Sequence, residues 1–415
     1  MTGPLWTRLP DGWLTGRVKN VATVTLGKML QSKDGGSDVS APYMRAANVQ
    51  PEGLLALDDV NEMWFGEAEL EQLSIRAGDV VVVEGGQGGF GRAAYVENDL
   101  PGWGFQNSIN RLRPIGDFDG RFIAFYLIAL RASGYIRAYS NVVSMPHLTA
   151  EKLACVPIPL PPVEQQRAIA DYLDCETARI DTLIEEQQRL IEMLRERRQA
   201  VVDAAFAALG EPSVQLRRYI KFLTSGSRGW GDYYADDGER FLRIGNLPRT
   251  NLSIRGEVQF VSLPADVTEG SRTILEAGDL LFSITAYLGS VAVVDNDWVG
   301  SYVSQHVALC RLDPDRLDSR FAGWFMLTTV GQDQLNQGAA GGAKMQLALD
   351  DIKGLRVPTA SIAEQHHIAV HLDEQTEKID ALIAETQRLI ELARERRSAL
   401  ITAAVTGQVD VREAA

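Results

Sequence analysis

The segment IADYLDCETARIDTLIEEQQRLIEMLRERRQAVVDAA, Ile169 to Ala205, returns 199 residues later as IAVHLDEQTEKIDALIAETQRLIELARERRSALITAA, Ile368 to Ala404. The copies agree at 22 of 37 positions, among them the charged residues Asp181, Arg189, Glu196, Arg197 and Arg198. A common bias toward helix would repeat the apolar spacing but not the charges, so the match marks a duplicated structural unit. Within the first copy Leu173, Thr177, Ile180, Ile184, Gln187, Ile191 and Leu194 step by four and three, and Leu183 with Leu190 widens the stripe. Leu372, Ile379, Ile383 and Ile390 repeat it in the second. Pro161 and Pro162 suit the start of the first helix, and Gly210 with Pro212 suits its end. Ser361 and Glu364 form an S-x-x-E capping box for the second helix, and Gly407 is its candidate C-cap. A helix of about 45 residues is roughly 68 Å long, and one with a single apolar stripe needs a partner of similar length. The other copy, packed antiparallel, is the natural partner; the alternatives are that each helix caps its own domain or joins two molecules.

The stretches between the helices correspond more weakly. Tyr43-Met-Arg-Ala-Ala-Asn-Val49 answers to Phe241-Leu-Arg-Ile-Gly-Asn-Leu247, and Ile75-Arg-Ala-Gly-Asp-Val80 to Leu275-Glu-Ala-Gly-Asp-Leu280. Strand-like runs at Val80 to Val83, Ala93 to Val96 and Val291 to Val294 alternate with turn signals and short helical patterns such as Phe122 to Leu130. The fold class is therefore α+β, with two related α+β domains separated by two long antiparallel, coiled-coil helices in a pseudo-twofold internal repeat. The domains run 1–160 and 211–358, and the helices 161–210 and 359–415 with a C-terminal tail. Nearly interchangeable helices carrying unlike globular domains suggest one task performed on two targets. If the target is DNA, unlike heads on a rigid spacer imply two half-sites at fixed separation and an asymmetric sequence.

Pro159-Leu-Pro-Pro-Val-Glu-Gln165 leading into IADYLD, the block RLIEMLRERRQAVVDAA, and RERRSALITAAVTGQVDV from Arg394 to Val411 closely resemble the repeated helical regions of type I restriction-modification specificity subunits. The strands around Arg45 and Arg243 and the Ala-Gly-Asp turns at Ala77 and Ala277 look like that family's target recognition domains. The resemblance covers nearly the whole chain, Leu9-Pro-Asp-Gly-Trp13 included. It implies a non-catalytic subunit that binds double-stranded DNA and holds two adenine-methyltransferase subunits, joined for restriction by motor-nuclease subunits. S-adenosylmethionine, ATP and magnesium would then belong to those partners, with no cofactor in this chain. Pro358-Thr-Ala-Ser-Ile-Ala363 lacks the Pro-Pro of the first copy, which leaves the start of the second helix open.

Composition sets limits on this reading. The formal charge of −14 runs against the basic excess usual in DNA-binding domains. It is spread at roughly −3 or −4 over each of the four segments, so any DNA footprint is a local patch. A patch suffices, because exposed charges are screened beyond about 8 to 10 Å. Cys155, Cys175 and Cys310 lie far apart and form neither a disulfide framework nor a zinc knuckle. No window approaches a membrane span and Met1 to Pro10 does not read as a secretion signal, so a cytoplasmic, membrane-free location is expected.

Several motifs imitate chemistry. Gly86-Gln-Gly-Gly-Phe-Gly91 fits G-x-G-x-x-G, yet Arg92-Ala-Ala-Tyr-Val-Glu97 reads as a strand, whereas a phosphate-binding glycine loop must open a helix. The loop is either a flexible turn or a close approach to DNA. His367 and His371 could in principle share a metal with His366 nearby, but no Glu follows His367 to make HExxH, and a solvated helix face or subunit contact is expected. No G-x-x-x-x-G-K-[ST] loop and no N-P-P-[YF] run occurs, so no catalytic or metal site is assigned. The candidate DNA contacts are Arg45, Asn48, Gln87, Arg92, Asn107, Arg111 and Arg113 in the first head and Arg228, Arg243, Asn246, Gln305, His306 and Lys344 in the second. Arg suits guanine and Asn or Gln suits adenine, with a structural role competing at every position and most strongly at the matched Arg45 and Arg243. The rivals to a DNA reader are a two-headed structural adaptor that never touches DNA and an enzyme using the glycine loop.

Overall fold

The computed structural model of the chain describes residues 3–86, 89–140, 147–264, 269–337 and 346–411. They form two compact units, Met1–Glu186 with Leu389–Ala415 and Gln187–Arg388. The division falls inside both long helices, so each unit holds part of each.

In the first unit β1 (Leu14–Arg17) pairs antiparallel with β9 (Pro157–Leu160). A four-stranded antiparallel sheet has the order β2-β8-β5-β6, from β2 (Ala22–Leu26), β5 (Val80–Val83), β6 (Ala93–Tyr95) and β8 (Ile109–Pro114). A smaller sheet has the order β4-β3-β7, from β3 (Val39–Met44), β4 (Asn61–Phe65) and β7 (Gly104–Phe105), with β3 and β7 parallel. Helices α1 (Glu67–Gln72), α2 (Gly120–Ala132), α3 (Tyr135–Tyr139) and α4 (Ala150–Cys155) precede the long α5 (Val163–Ala207). The run Val80–Val83 is apolar at every position rather than alternating because both faces of β5 are covered. Val80 and Val82 pack with Phe122, Tyr126 and Leu130 of α2, while Val81 and Val83 pack with Met44, Met63, Phe65 and Phe105. All four valines are fully buried, a burial contributing about 1.5 to 3 kcal/mol for each side chain.

The second unit repeats the plan. β10 (Val214–Gln215) pairs antiparallel with β19 (Arg356–Val357). β11 (Ile220–Ser225), β15 (Leu280–Ser283), β16 (Val291–Val293) and β18 (Val307–Leu312) form a sheet of order β11-β18-β15-β16. β12 (Tyr234–Ala235), β13 (Glu239–Leu242), β14 (Gln259–Val261) and β17 (Tyr302–Val303) form a second, β12-β14-β13-β17, again with one parallel pair, β13 and β17. Helices α6 (Ser319–Met326), α7 (Thr329–Gln337) and α8 (Leu349–Gly354) lead to the long α9 (Ile362–Val405). The same strand order in both units is the α+β repeat that the weak correspondence of the heads foreshadowed.

The Ala-Gly-Asp motif has a physical cause. Gly78 and Gly278 take φ +92° and +84°, where a side chain is strained, and their N–H groups donate to Val96 O (2.9 Å) and Val294 O (2.8 Å). The following aspartates are buried. Asp79 accepts from Arg76 N (2.8 Å) and from Arg113 Nε and Nη2 (2.8 and 2.7 Å), while Asp279 accepts from Glu276 N and from Arg311 Nε and Nη2 (2.8 Å each).

The long helices run antiparallel to one another within each unit. In the first, Ile169 and Leu173 of α5 share a core with Ile401, Ala404 and Val405 of α9, and Arg397 pairs with Asp181, Nε to Oδ1 2.9 Å. In the second, Val202 and Phe206 share a core with Ala369 and Leu372, and Arg198 Nε pairs with Asp380 Oδ1 at 2.8 Å. Buried Gln166 and Gln365 bind each helix start to its own head, accepting from Asp119 N (3.1 Å) and Asp318 N (2.8 Å). The start left open by the missing Pro-Pro is closed by Ser361, whose Oγ accepts from Glu364 N at 3.3 Å just before α9 begins. Gly407, at φ +68°, ends α9 with Gln408 N donating to Ala403 O (2.8 Å), a Schellman-type bond. No helix among the described residues is long and apolar enough to cross a membrane.

Candidate nucleic-acid interface

At one end of the first unit's sheets, five chain segments meet on the turn Gln106–Ser108 between β7 and β8. Lys28, leaving β2, donates from its N to Phe105 O (3.0 Å) and accepts from Asn107 N (2.8 Å). Beyond β3, Ala46 N donates to Ser108 Oγ (3.2 Å), and Gln106 N donates to Met44 O (2.9 Å). Glu84, leaving β5, donates to Ser108 O (2.8 Å) and accepts from Leu148 N (2.8 Å) on the approach to α4. The second unit gathers the same segments around Ser304–His306. Ser227 N donates to Val303 O (3.1 Å), Ser304 N to Leu242 O (2.9 Å), Ile284 N to His306 O (3.0 Å) and Leu347 N to Ile284 O (3.0 Å). Glycine is required where β2 and β11 enter these clusters. A Cβ on Gly27 would lie 2.3 Å from Gln106 O, and one on Gly226 2.0 Å from Val303 O.

This loop end is the surface where side chains differ between the units, and it brings together some of the sequence candidates. Asn107, half-buried, sits at the apex of the first turn. Arg45 follows β3 and pairs with Asp59, and Arg92 closes the β5–β6 loop with Nη1 donating to Val49 O at 3.3 Å. In the second unit Arg228 is exposed on the segment leaving β11, and Arg243 follows β13. Gln305 and His306 occupy the turn, with Gln305 Nε2 and His306 Nε2 3.1 Å apart and His306 Nδ1 3.1 Å from Thr285 Oγ1.

Other candidates are engaged inside the fold. Asn48 and Asn246 are buried; their Oδ1 atoms accept from Arg45 N and Arg243 N at 2.9 Å. Their amides donate to Ala56 O (2.8 Å) and to Arg255 O and Glu257 O (2.9 and 3.0 Å), so each closes its own turn. Arg111 and Arg113 lie toward the opposite end of β8. Arg111 is buried, donating to Gln72 O (3.0 Å) and Thr25 Oγ1 (3.2 Å), and burial together with the nearby Arg113 charge lowers its pKa to about 10. Arg113 is the partner of Asp79. These four side chains hold the heads together rather than face a ligand at the loop end. Gln87 and Lys344 lie outside the described residues.

Residues that sequence reasoning passed over also stand at this end. Lys28 pairs with Glu69, and His147 Nδ1 lies 3.0 Å from Glu84 Oε2. Met29 and Leu30 are exposed on the loop between β2 and β3. Nothing in their local sequence marks them, since their position follows from strand order alone. The glycine loop joins antiparallel strands, Gly91 N returning to Val83 O at 3.0 Å, so it opens no helix and offers no pyrophosphate site. His366 faces Asp318 (Nε2 to Oδ2 3.3 Å), and no metal-ligating group of three or more residues occurs among the described residues.

Comparison with known proteins gives a consistent family. The model of the type I restriction modification DNA specificity domain matches residues 10–193 and 259–392. The EcoKI specificity subunit of Escherichia coli (strain K12) is 26% identical over 310 residues, 69% of this chain and 64% of that protein. The StySPI specificity subunit of Salmonella potsdam is 23% identical over 408 residues, 88% of this chain and 82% of that protein. The EcoBI subunit of Escherichia coli is 22% identical over 66% of this chain, so the match spans 63% and 64% of the two Escherichia coli subunits. Among solved structures, a chain from work on complex assembly and conformational transition of the type I R-M system superposes with TM-score 0.77 at 18% identity, covering 97% of this chain and 100% of that one. The HsdS subunit from Thermoanaerobacter tengcongensis superposes with TM-score 0.58 at 19% identity, covering 99% of this chain and 100% of that one. At these identities the superpositions speak to the fold.

Proposed function

The chain belongs to the type I restriction modification DNA specificity family, and from that membership we propose that it is a DNA sequence-specificity subunit. In this reading each unit reads one half of an asymmetric, bipartite site in double-stranded DNA with the loop end of its sheets. The duplicated helices dock two methyltransferase subunits, and motor-nuclease subunits join for restriction. The subunit itself is non-catalytic, and S-adenosylmethionine, ATP and magnesium act on the partners.

The observation that carries the reading is the combination of one fold built twice with different side chains at the loop end. Arg45, Arg92 and Asn107 stand there in the first unit, and Arg228, Arg243, Gln305 and His306 in the second. A framework that repeats while its tips diverge suits recognition of two unlike sequences. Arg, Asn and Gln on loops are the side chains that pair with base edges, and exposed Met29 and Leu30 suit contact with apolar groove surface. The net charge of −14 favours the rival reading, a two-headed adaptor that binds proteins alone.

The test is selection on random duplex DNA by the chain reconstituted with its methyltransferase subunits, followed by exchange of residues 5–160 for the first head of another family member. The expected outcome is a split, asymmetric preference in which the exchange alters one half-site. No sequence preference would support the adaptor, and a change in both half-sites would contradict the modular reading.

A further inference from the structure

Tyr287, at the tip of the β15–β16 loop, has φ +63° and remains 62% exposed. Left-handed backbone is unfavourable for a bulky side chain, and here no burial of the ring offsets it. In the matching loop of the first unit the left-handed positions are glycines, Gly86 (φ +106°) and Gly91 (φ +71°).

The strained conformation is held from several sides. Ser283 Oγ donates to Tyr287 O at 2.7 Å, and Ser290 N donates to the same oxygen at 3.3 Å. Gln332, from α7, clamps the loop by donating to Gly289 O (2.9 Å) and Met326 O (2.8 Å). Arg249 lies over the exposed ring, 5.6 Å from its centroid. Apart from that contact, neither the Tyr287 hydroxyl nor the Arg249 guanidinium has a hydrogen bond or ion pair among the described residues. With Thr285, Gln332 and Asn336 they line an open recess of about 360 Å³. Thr285 bonds His306, which makes the recess continuous with the loop end.

A rigid, solvent-facing ring with a free hydroxyl and an adjacent free cation is prepared for a ligand that offers apolar surface next to negative charge. DNA presents that combination at every nucleotide step. We propose that Tyr287 is a sequence-reading contact of the second unit, its ring set against apolar groove surface such as a thymine methyl while Arg249 pairs with a phosphate. This rests on the reading of the chain as a DNA specificity subunit. Because the loop is already fixed, little conformational freedom is lost on binding, which is the return for the strained backbone.

The test uses the full chain reconstituted with its methyltransferase subunits, its selected duplex, and duplexes altered singly in each half-site. Y287G relieves the left-handed strain and is expected to raise the thermal midpoint of the chain by about 1 to 3 °C. The same variant is expected to bind about tenfold more weakly and to lose discrimination at one base pair of the second half-site alone. Y287F keeps the ring and should stay within about threefold of the unaltered protein, a loss no greater than one hydrogen bond. R249Q should weaken all duplexes alike and lower the slope of log affinity against log salt by about 1. If Y287G fails to fold, Y287A, which keeps the backbone geometry, decides the matter in the same assay. Unchanged affinity and second-half-site discrimination in the ring-less variant, with the unaltered assembly reading a bipartite site, overturns this proposal and leaves the broader function standing. An unaltered assembly with no sequence preference removes both.

Discussion

Asp79 is 1% exposed and carries three hydrogen bonds, two of them from a single guanidinium, so its charge exists in the fold because Arg113 is there. Removing one member of such a pair leaves the other uncompensated. Asp79→Ala is expected to destabilise the chain by about 3 kcal/mol, the low end for a buried pair because Arg113 remains partly solvated. Asp79→Asn, which keeps an acceptor for Arg76 N, should cost clearly less. Urea unfolding midpoints measure both, and a loss below about 1 kcal/mol for the alanine variant would show that the pair carries little weight. The three thiols divide equally plainly. Burial in the second unit's core, reinforced by Asp279, pushes the Cys310 thiol up to about 12, whereas Cys175 is exposed on α5. At pH 8 iodoacetamide should alkylate Cys175 and spare Cys310 until the chain is unfolded. The folded state holds the Cys310 proton more tightly than the unfolded chain does. That contribution to stability is therefore complete below pH 9 and declines as the pH climbs toward 12. Labelling of Cys310 in the native protein at a rate matching Cys175 would contradict both statements.

At the scale of elements, what was legible in the sequence was what repeats. The apolar spacing from Leu173 to Leu194 and its counterpart predicted two long helices, and α5 and α9 occupy those segments. The buried run of β5 was legible as a strand because four consecutive valines have no helical amphipathic face. Less legible were elements defined by partners distant in sequence. β7 has two residues and gains its identity from parallel pairing with β3, about sixty positions earlier. The candidate site was legible only in part for the same reason. Arg111 and Arg113 have the chemistry of DNA contacts, and alternation along β8 does not say which end of the strand carries the loops. Asn48 and Asn246 were singled out for their polarity, and that polarity serves the turns they close. Lys28 and Tyr287 were missed because only the folded loops bring them to the surface that matters.

At the scale of the whole molecule, the two helix-to-helix ion pairs are copies of each other with the roles exchanged. Asp181 and Arg198 lie on α5, while Asp380 and Arg397, their equivalents 199 residues later, lie on α9. A fragment of residues 1–210 thus contains both a donor and an acceptor for that pair. It lacks Ile401, Ala404 and Val405, which complete the first unit's core, but a second copy of α5 could present Val202, Ala205 and Phe206 in their place. Phe206 is bulkier than Val405, so the substitute core is tighter and somewhat less stable. Light scattering should give the fragment twice its chain mass at micromolar concentration, and Arg198→Ala should weaken the association. A folded monomer at those concentrations would exclude the exchange.

The reciprocity of those pairs bears on ancestry as well as stability. An ancestral half-length chain carrying the same coil could have assembled with itself, and such a symmetric pair would be confined to palindromes. Tandem duplication into one polypeptide lifts that confinement, because either lobe can then drift without forcing the other to follow.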